Sequence, residues 1–342
     1  MSDTITVYSI TATHDGYDQV NQDFDGAAID GGASPFAQLH TLRTQEFEYF
    51  SQELRLVGEI NDQWDFMVGY YYYDSDLDFN QKTNNVIQVP FGLPPGVPCA
   101  AVIPILRDNP NPAIGNALCQ FPNAKSTQIS TSDTESLAFF GSITWRPTDQ
   151  WEILVGVRNI DEETEASTTY INHSTGTFDT GGPASEHNFT GLPAVVSPNG
   201  YSGLEDEWDD TIWTASVSYA LTDTNMVYAN YSEGFRSGGF SIRSARDASE
   251  APFQPETADQ IEIGSKNELF DGALQLNIAY YQLNREGSQF SSIISLPPGS
   301  IPGTTTIINN GKGSDYDGWE LEGRWIINDN WSVAINGGTL DV

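Results

Sequence analysis

Basic residues are scarce in this 342-residue chain, where 14 Lys and Arg stand against 47 Asp and Glu for a formal net charge of −33. Such a surface repels a phosphate backbone instead of neutralising it, which excludes nucleic acid as a partner. Apolar runs long enough for a membrane-crossing helix, about 18 residues, are missing too, although that test does not detect membrane-spanning strands. The amino terminus, Met1 to Thr13, lacks the basic patch, apolar stretch and small-residue cleavage site of a secretory leader and reads as a strand. The last residues, Thr339 to Val342, also stop inside an apparent strand, so the chain is expected to be cut at both ends. No nucleophile elbow, zinc-protease helix or phosphate loop occurs, and no carboxylate pair is set apart by its context, so catalysis is not expected. The four histidines, His14, His40, His173 and His187, lack the spacing of a metal site. Disorder is excluded by what is present, since 38% of the residues are hydrophobic and 12% aromatic.

The dominant pattern is strict alternation of apolar and polar residues, the mark of strands with one greasy face. Trp64, Phe66, Val68, Tyr70 and Tyr72 share one face, against Asp65, Met67, Gly69 and Tyr71. Phe139, Gly141, Ile143 and Trp145 oppose Ala138, Phe140, Ser142 and Thr144. Late in the chain, Trp319, Leu321, Gly323, Trp325 and Ile327 oppose Glu320, Glu322 and Arg324. About eleven such segments can be traced, most longer than the roughly 9–11 residues that cross a bilayer at a tilt.

The connections between them alternate in length. Tight turns at 60–62, 147–149, 222–224, 268–271 and 328–330 separate long connections at about 13–44, 80–132, 165–207, 238–257 and 288–312. Outer-membrane barrels have this asymmetry, with short periplasmic turns and long extracellular loops. Trp64, Trp145, Trp151, Trp325 and Trp331 lie within a few residues of the short turns, on the apolar face, as an aromatic girdle at one membrane interface would. The competing reading is a secreted acidic β-sandwich that binds carbohydrate, whose strands also alternate but whose core tryptophans need not cluster at one end.

Four ordered stretches carry a family resemblance: QELRL at 52–56, YANYSEGFRSGGF at 228–240, FQPETADQIEIGSKNELFDG at 253–272 and NNGKGSDYDGWELE at 309–322. Together they resemble the barrel portion of TonB-dependent receptors, the outer-membrane transporters of Gram-negative bacteria. The resemblance implies an all-β, antiparallel, up-and-down transmembrane barrel spanning 1–342. It amounts to half of a barrel of about 22 strands, with no counterpart of the family's plug domain. It also implies active import of iron-siderophore, cobalamin or carbohydrate, with the TonB complex of the inner membrane, outer-membrane lipid and lipopolysaccharide, and a metal-chelate or other small-molecule ligand as partners. No cofactor is implied. A passive porin-like channel is the alternative within the same architecture.

Tyr231, Glu233 and Arg236 sit near the outer end of a strand that feeds a long loop, where they would line a ligand vestibule or hold the plug; a purely structural role is the plainer alternative. Glu262, Glu320, Glu322 and Arg324 fall on the lumen side by parity and read as wall residues. Cys99 and Cys119, the two cysteines, lie in the connection placed outside the cell, where a disulfide is the natural reading and free thiols the alternative. Asn21, Asp23, Asp25 and Gly26 match the opening of a calcium loop, but Gly32 stands where the bidentate glutamate belongs, leaving a solvated acidic loop.

Overall fold

A computed structural model describes residues 5–23, 38–86, 124–173, 194–243, 248, 251–295 and 304–342. Eleven strands form one sheet: β1 (Ile5–Asp23), β2 (Gln38–Asn61), β3 (Trp64–Val86), β4 (Ala124–Thr148), β5 (Trp151–Asn172), β6 (Val195–Thr222), β7 (Asn225–Arg236), β10 (Glu256–Leu269), β11 (Leu274–Glu286), β14 (Ser314–Asn328) and β15 (Trp331–Asp341). Two ribbons complete the strand set, β8 (Gly239–Phe240) with β9 (Pro252–Phe253) and β12 (Gln289–Ser295) with β13 (Thr304–Asn310). Each main strand pairs antiparallel with the next, the meander expected from the alternation. No helix occurs among the described residues.

The apolar face is uncovered. Val68, Phe139, Trp213, Ile263 and Trp319 project from it with exposures from 46% to 58%. Among the described residues no second sheet packs on it, which removes the sandwich reading and leaves a bilayer as the phase that would cover it. Trp64 stacks on Trp145 with centroids 5.3 Å apart, and Trp151 packs on Tyr219 at 4.7 Å, both beside short turns. Further along the strands, Trp319 packs on Tyr280 at 5.0 Å on the same apolar face.

Four of the five short turns share one local device. The side-chain oxygen of the last strand residue accepts a hydrogen bond from the backbone N–H two residues on: Asn61 from Gln63, Thr148 from Gln150, Thr222 from Thr224 and Asn328 from Asn330. The second residue is aspartate in every case (Asp62, Asp149, Asp223, Asp329), and tryptophan opens the next strand in three (Trp64, Trp151, Trp331). Short polar side chains stabilise such turns by mimicking backbone. The fifth turn bends through left-handed Phe270, Asp271 and Gly272 (φ 57°, 56° and 84°), a conformation glycine adopts freely and phenylalanine resists.

Strands β2 to β6 are 22 to 28 residues long, at least twice what a bilayer needs. The long connections expected at 13–44, 80–132 and 165–207 therefore shrink to 24–37, 87–123 and 173–194. The alternation was silent here because the strands have left the apolar phase and both faces are polar, while the hydrogen-bonded ladders continue. The segments 238–257 and 288–312 contain the two short ribbons. Cys99, Cys119, Asp25, Gly26, Gly32 and His187 lie outside the described residues.

On the outward face of these extensions, carboxylates stand side by side. Asp15, Glu48, Asp76, Asp133, Glu165 and Glu205 are successive cross-strand partners over β1 to β6. A second row joins Asp74, Glu135, Glu163 and Glu207 over β3 to β6. Partners directly opposite sit about 4.5–5.5 Å apart at Cβ, where like charges destabilise the pair. Glu163, at the fully exposed surface, is held above its ordinary carboxylate value first by its hydrogen bond to Glu205 and then by that residue's charge.

Candidate functional site

The inward face of the same extensions is covered by the segment between β7 and β10. Phe240 seats against Trp208 of β6, ring centroids 6.0 Å apart, in a small buried cluster with Ala166, Tyr201 and Ala251. Two glycines permit this approach: a Cβ on Gly238 would fall 2.5 Å from the Trp208 ring, and one on Gly239 would fall 2.7 Å from the Phe253 ring. The glycine pair of the RSGGF stretch is thus explained by two rings lying on the backbone.

Beyond Phe240 the segment becomes a strap tied down through its carbonyls. The Ile242 carbonyl accepts from Gln128 Nε2 at 2.7 Å and Ser130 Oγ at 2.6 Å, with Thr168 Oγ1 at 2.9 Å. Thr168 Oγ1 is equally close to the Ser130 hydroxyl, so its single proton serves one acceptor at a time. Tyr170 donates to the Arg243 carbonyl at 3.0 Å, and Ser241 N–H donates to the Ala251 carbonyl at 2.8 Å. Gln128, Ser130, Thr168 and Tyr170 reach the strap because they share the inward parity of β4 and β5, opposite Gln81 and Phe79 of β3.

A cavity of about 160 Å³ opens between the strap and the β12–β13 ribbon. Phe240, Ile242 and Ile308 give it apolar walls, and Ser241, Ser291 and Thr306 give it hydroxyls. Arg243 forms its charged side, the guanidinium lying over the Phe79 ring at 5.1 Å from the centroid. Ile308 N–H donates to Ser241 Oγ at 2.9 Å, which links ribbon to strap. Burial first, and then the nearby charge of Arg43, lower the Arg243 pKa. Arg43 itself stands 3.8 Å from Asp18.

The three residues expected at a vestibule separate. Tyr231 and Glu233 take the outward parity of Ala215 and Ile261, so the structure places them on the lipid-side face and not on the inner wall. The physical reason is the ladder itself: Tyr231 donates to Glu233, and Glu233 Oε2 accepts the Trp213 N–H at 2.9 Å where the β6–β7 pairing ends. Arg236 does face inward, opposite Glu256. Glu256 accepts from Arg285 Nε and from Gln289 N–H at 2.7 Å, and the Arg285 bond is the first cause holding its carboxyl below the ordinary value. Glu262, Glu320, Glu322 and Arg324 lie on the inward face as expected, with Tyr228 donating to Glu262 at 2.7 Å.

Arg43, Phe79, Gln128, Ser130, Thr168, Trp208 and Arg243 escaped sequence reasoning because, Phe79 and Trp208 aside, they sit in stretches that read as loops. Their one signal was a run of small polar residues at every second position, Ser126, Gln128, Ser130, Ser132, Thr134 and Ser136, which is strand-like without being greasy.

Residues 3–341 match the family model described as TonB dependent receptor-like, beta-barrel. The chain belongs to the TonB-dependent receptors. This family resides in the outer membrane of Gram-negative bacteria, and the eleven-stranded meander is a portion of its barrel fold. The pesticin receptor of Yersinia enterocolitica is 27% identical over 241 residues, which cover 70% of this chain and 31% of that receptor. The probable TonB-dependent siderophore receptor PiuA of Acinetobacter baumannii is 25% identical over 161 residues, covering 46% of this chain and 20% of that protein. Among solved structures, the ferric yersiniabactin uptake receptor FyuA of Yersinia pestis superposes with a TM-score of 0.61 at 20% identity, over 99% of this chain and 40% of the other. This TonB-dependent receptor chain thus spans about a third of the length of the pesticin receptor and a fifth of that of PiuA.

Proposed function

We propose that the receptor containing this chain imports a ferric siderophore across the outer membrane, driven by the inner-membrane TonB complex. Membership in the TonB-dependent receptors supports the class, and the siderophore named for the PiuA relative supports the cargo. The observation that carries the reading is the inward strap at the outer mouth of the wall. It presents Arg243 and a cavity on the side away from lipid, where a captured solute would stand. Outer-membrane lipid covers the apolar band, and lipopolysaccharide headgroups meet the strand extensions above it. Cobalamin or carbohydrate would use the same barrel and are separated from a ferric chelate by the assay itself.

The test is uptake of radiolabelled iron, supplied as a panel of ferric siderophores, by cells that carry the complete receptor as their sole iron-chelate route. Accumulation that stops when TonB is deleted is the expected result. Accumulation that persists without TonB would convert the assignment to a passive channel, and no uptake of any ferric chelate would remove the iron reading.

A further inference from the structure

Each of the two ribbons over the inward face is too short to hold a position alone. β8 pairs with β9 through two residue pairs and β12 with β13 through seven, and each ribbon is a two-stranded sheet apart from the main one. Isolated two-stranded ribbons are marginal in water, so side chains around these two must fix them in place.

The base of the β12–β13 ribbon supplies such a fixing. Gln289 and Asn310 are cross-strand partners there, and both turn their carboxamides onto the backbone of the strap. Asn310 Oδ1 accepts the Gln254 N–H at 2.6 Å and Asn310 Nδ2 donates to the Gln254 carbonyl at 2.7 Å, so one side chain makes both of the bonds that a neighbouring strand would make. Gln289 Nε2 donates to the Ser237 carbonyl at 2.7 Å and to the Gln254 carbonyl at 3.1 Å. Two residues along β13, the Ile308 N–H donates to Ser241 Oγ at 2.9 Å. Both arms of the strap, before β8 and after β9, are thus gripped by the ribbon.

The same residues reach the root of the ribbon. Asn310 Nδ2 also donates to the Gly287 carbonyl at 2.8 Å, and Glu256 accepts from Arg285 Nε and from the Gln289 N–H at 2.7 Å. Gly287 has φ 65°, and a Cβ there would fall 2.6 Å from the Pro255 carbonyl oxygen, so the chain leaves β11 in contact with the entry to β10. At the far end, the Ile242 carbonyl takes its bonds from Gln128, Ser130 and Thr168 of the wall.

We propose that the strap and the β12–β13 ribbon are one flap, rooted at Glu256 and Gly287 and latched to β4 and β5 at the Ile242 carbonyl. The carboxamides of Gln289 and Asn310 are its joint, so releasing the latch moves both loops together. The inference goes beyond the uptake reading, since it depends on these contacts and not on the cargo.

The experiment uses the complete receptor in detergent micelles, with Cys99→Ser and Cys119→Ser so that spin labels attach only at engineered cysteines. Electron–electron distances are read from Thr13→Cys on β1 to Ala248→Cys in the strap and to Ile293→Cys in the ribbon, all at exposed positions. Thr168→Trp wedges an indole beneath the strap at a site that is 1% exposed. Ser130→Trp, also at a 1% exposed site, is the second wedge, from β4, should the first variant fail to fold. Both distances are expected to shift by about 3.5 Å or more, the contact thickness of one ring, and in the same proportion of molecules. With Gln289→Ala and Asn310→Ala added, the wedge should still displace the strap while the ribbon no longer follows. A ribbon that stays in place when the strap moves, a ribbon that follows as fully without the two carboxamides, or a strap that neither wedge displaces would each overturn the proposal.

Discussion

Asp133 of β4 stands directly opposite Asp76 of β3, two carboxylates paired across a ladder in the middle of a six-strand acidic row. Burial first, and then the charge and hydrogen bond of Asp76, push the Asp133 carboxyl above its ordinary value of 3.8. A carboxyl raised in this way favours the folded collar fully below 3.8, and that contribution is lost as pH rises through the raised folded value. Asp133→Asn should therefore slow hydrogen exchange in the outer halves of β3 to β5 at neutral pH and low salt. The gain should be about 0.2–1 kcal/mol, the scale of one opposed pair. It should shrink in roughly 1 M salt, where the Debye length falls to about 3 Å. A gain that is unchanged by salt and acid would mean that the row is not under electrostatic stress.

Neighbouring residues on β11 test which face meets lipid. Ile278 is on the outward face opposite Leu321, and Asn277 is on the inward face opposite Glu322. In the complete receptor refolded into vesicles, Ile278→Arg should cost about 2–4 kcal/mol, the penalty for arginine at the bilayer midplane. Asn277→Arg, which places a cation beside Glu322, should be tolerated. Urea titrations of both variants against the parent make the comparison, and equal costs would contradict the facial assignment.

Thr168 is 1% exposed and ties the strap through its hydroxyl. Thr168→Val keeps the shape and removes the donor, so the strap should open about fivefold more often, corresponding to about 1 kcal/mol for one hydrogen bond. Exchange of the Ser241 amide, which donates to Ala251, reads this directly. Thr168→Ser retains the hydroxyl and should exchange close to the parent rate.

Gly238 tests the packing of the glycine pair. Gly238→Ala puts a methyl group 2.5 Å from the Trp208 ring, so either the ring or the strap must move, at a cost of about 1–3 kcal/mol for an overpacked site. A shift in Trp208 emission together with faster Ser241 exchange is expected. A variant with parental spectra and exchange would show that the site has slack that the close contact does not suggest.

Alternation by itself determined the eleven-stranded meander, the lipid-side face and the position of the short turns, because within an apolar phase every second side chain must be greasy. The tryptophans Trp64, Trp151 and Trp331 and the four ordered stretches likewise pointed to the membrane and to the family before any coordinates. The same rule could not see that β3 continues beyond Phe79 to Val86, or that β4 starts at Ala124, since polar side chains on both faces of those extensions remove the contrast that alternation needs. Position near the outer end of a strand suggested the vestibule for Tyr231 and Glu233, and only the register with β6 and β10 gave both the outward parity. Only tertiary structure placed Arg243 over Phe79 and set the Ile242 carbonyl among Gln128, Ser130 and Thr168. Those contacts join residues more than 70 positions apart, and a chain reveals such meetings only when its backbone is folded.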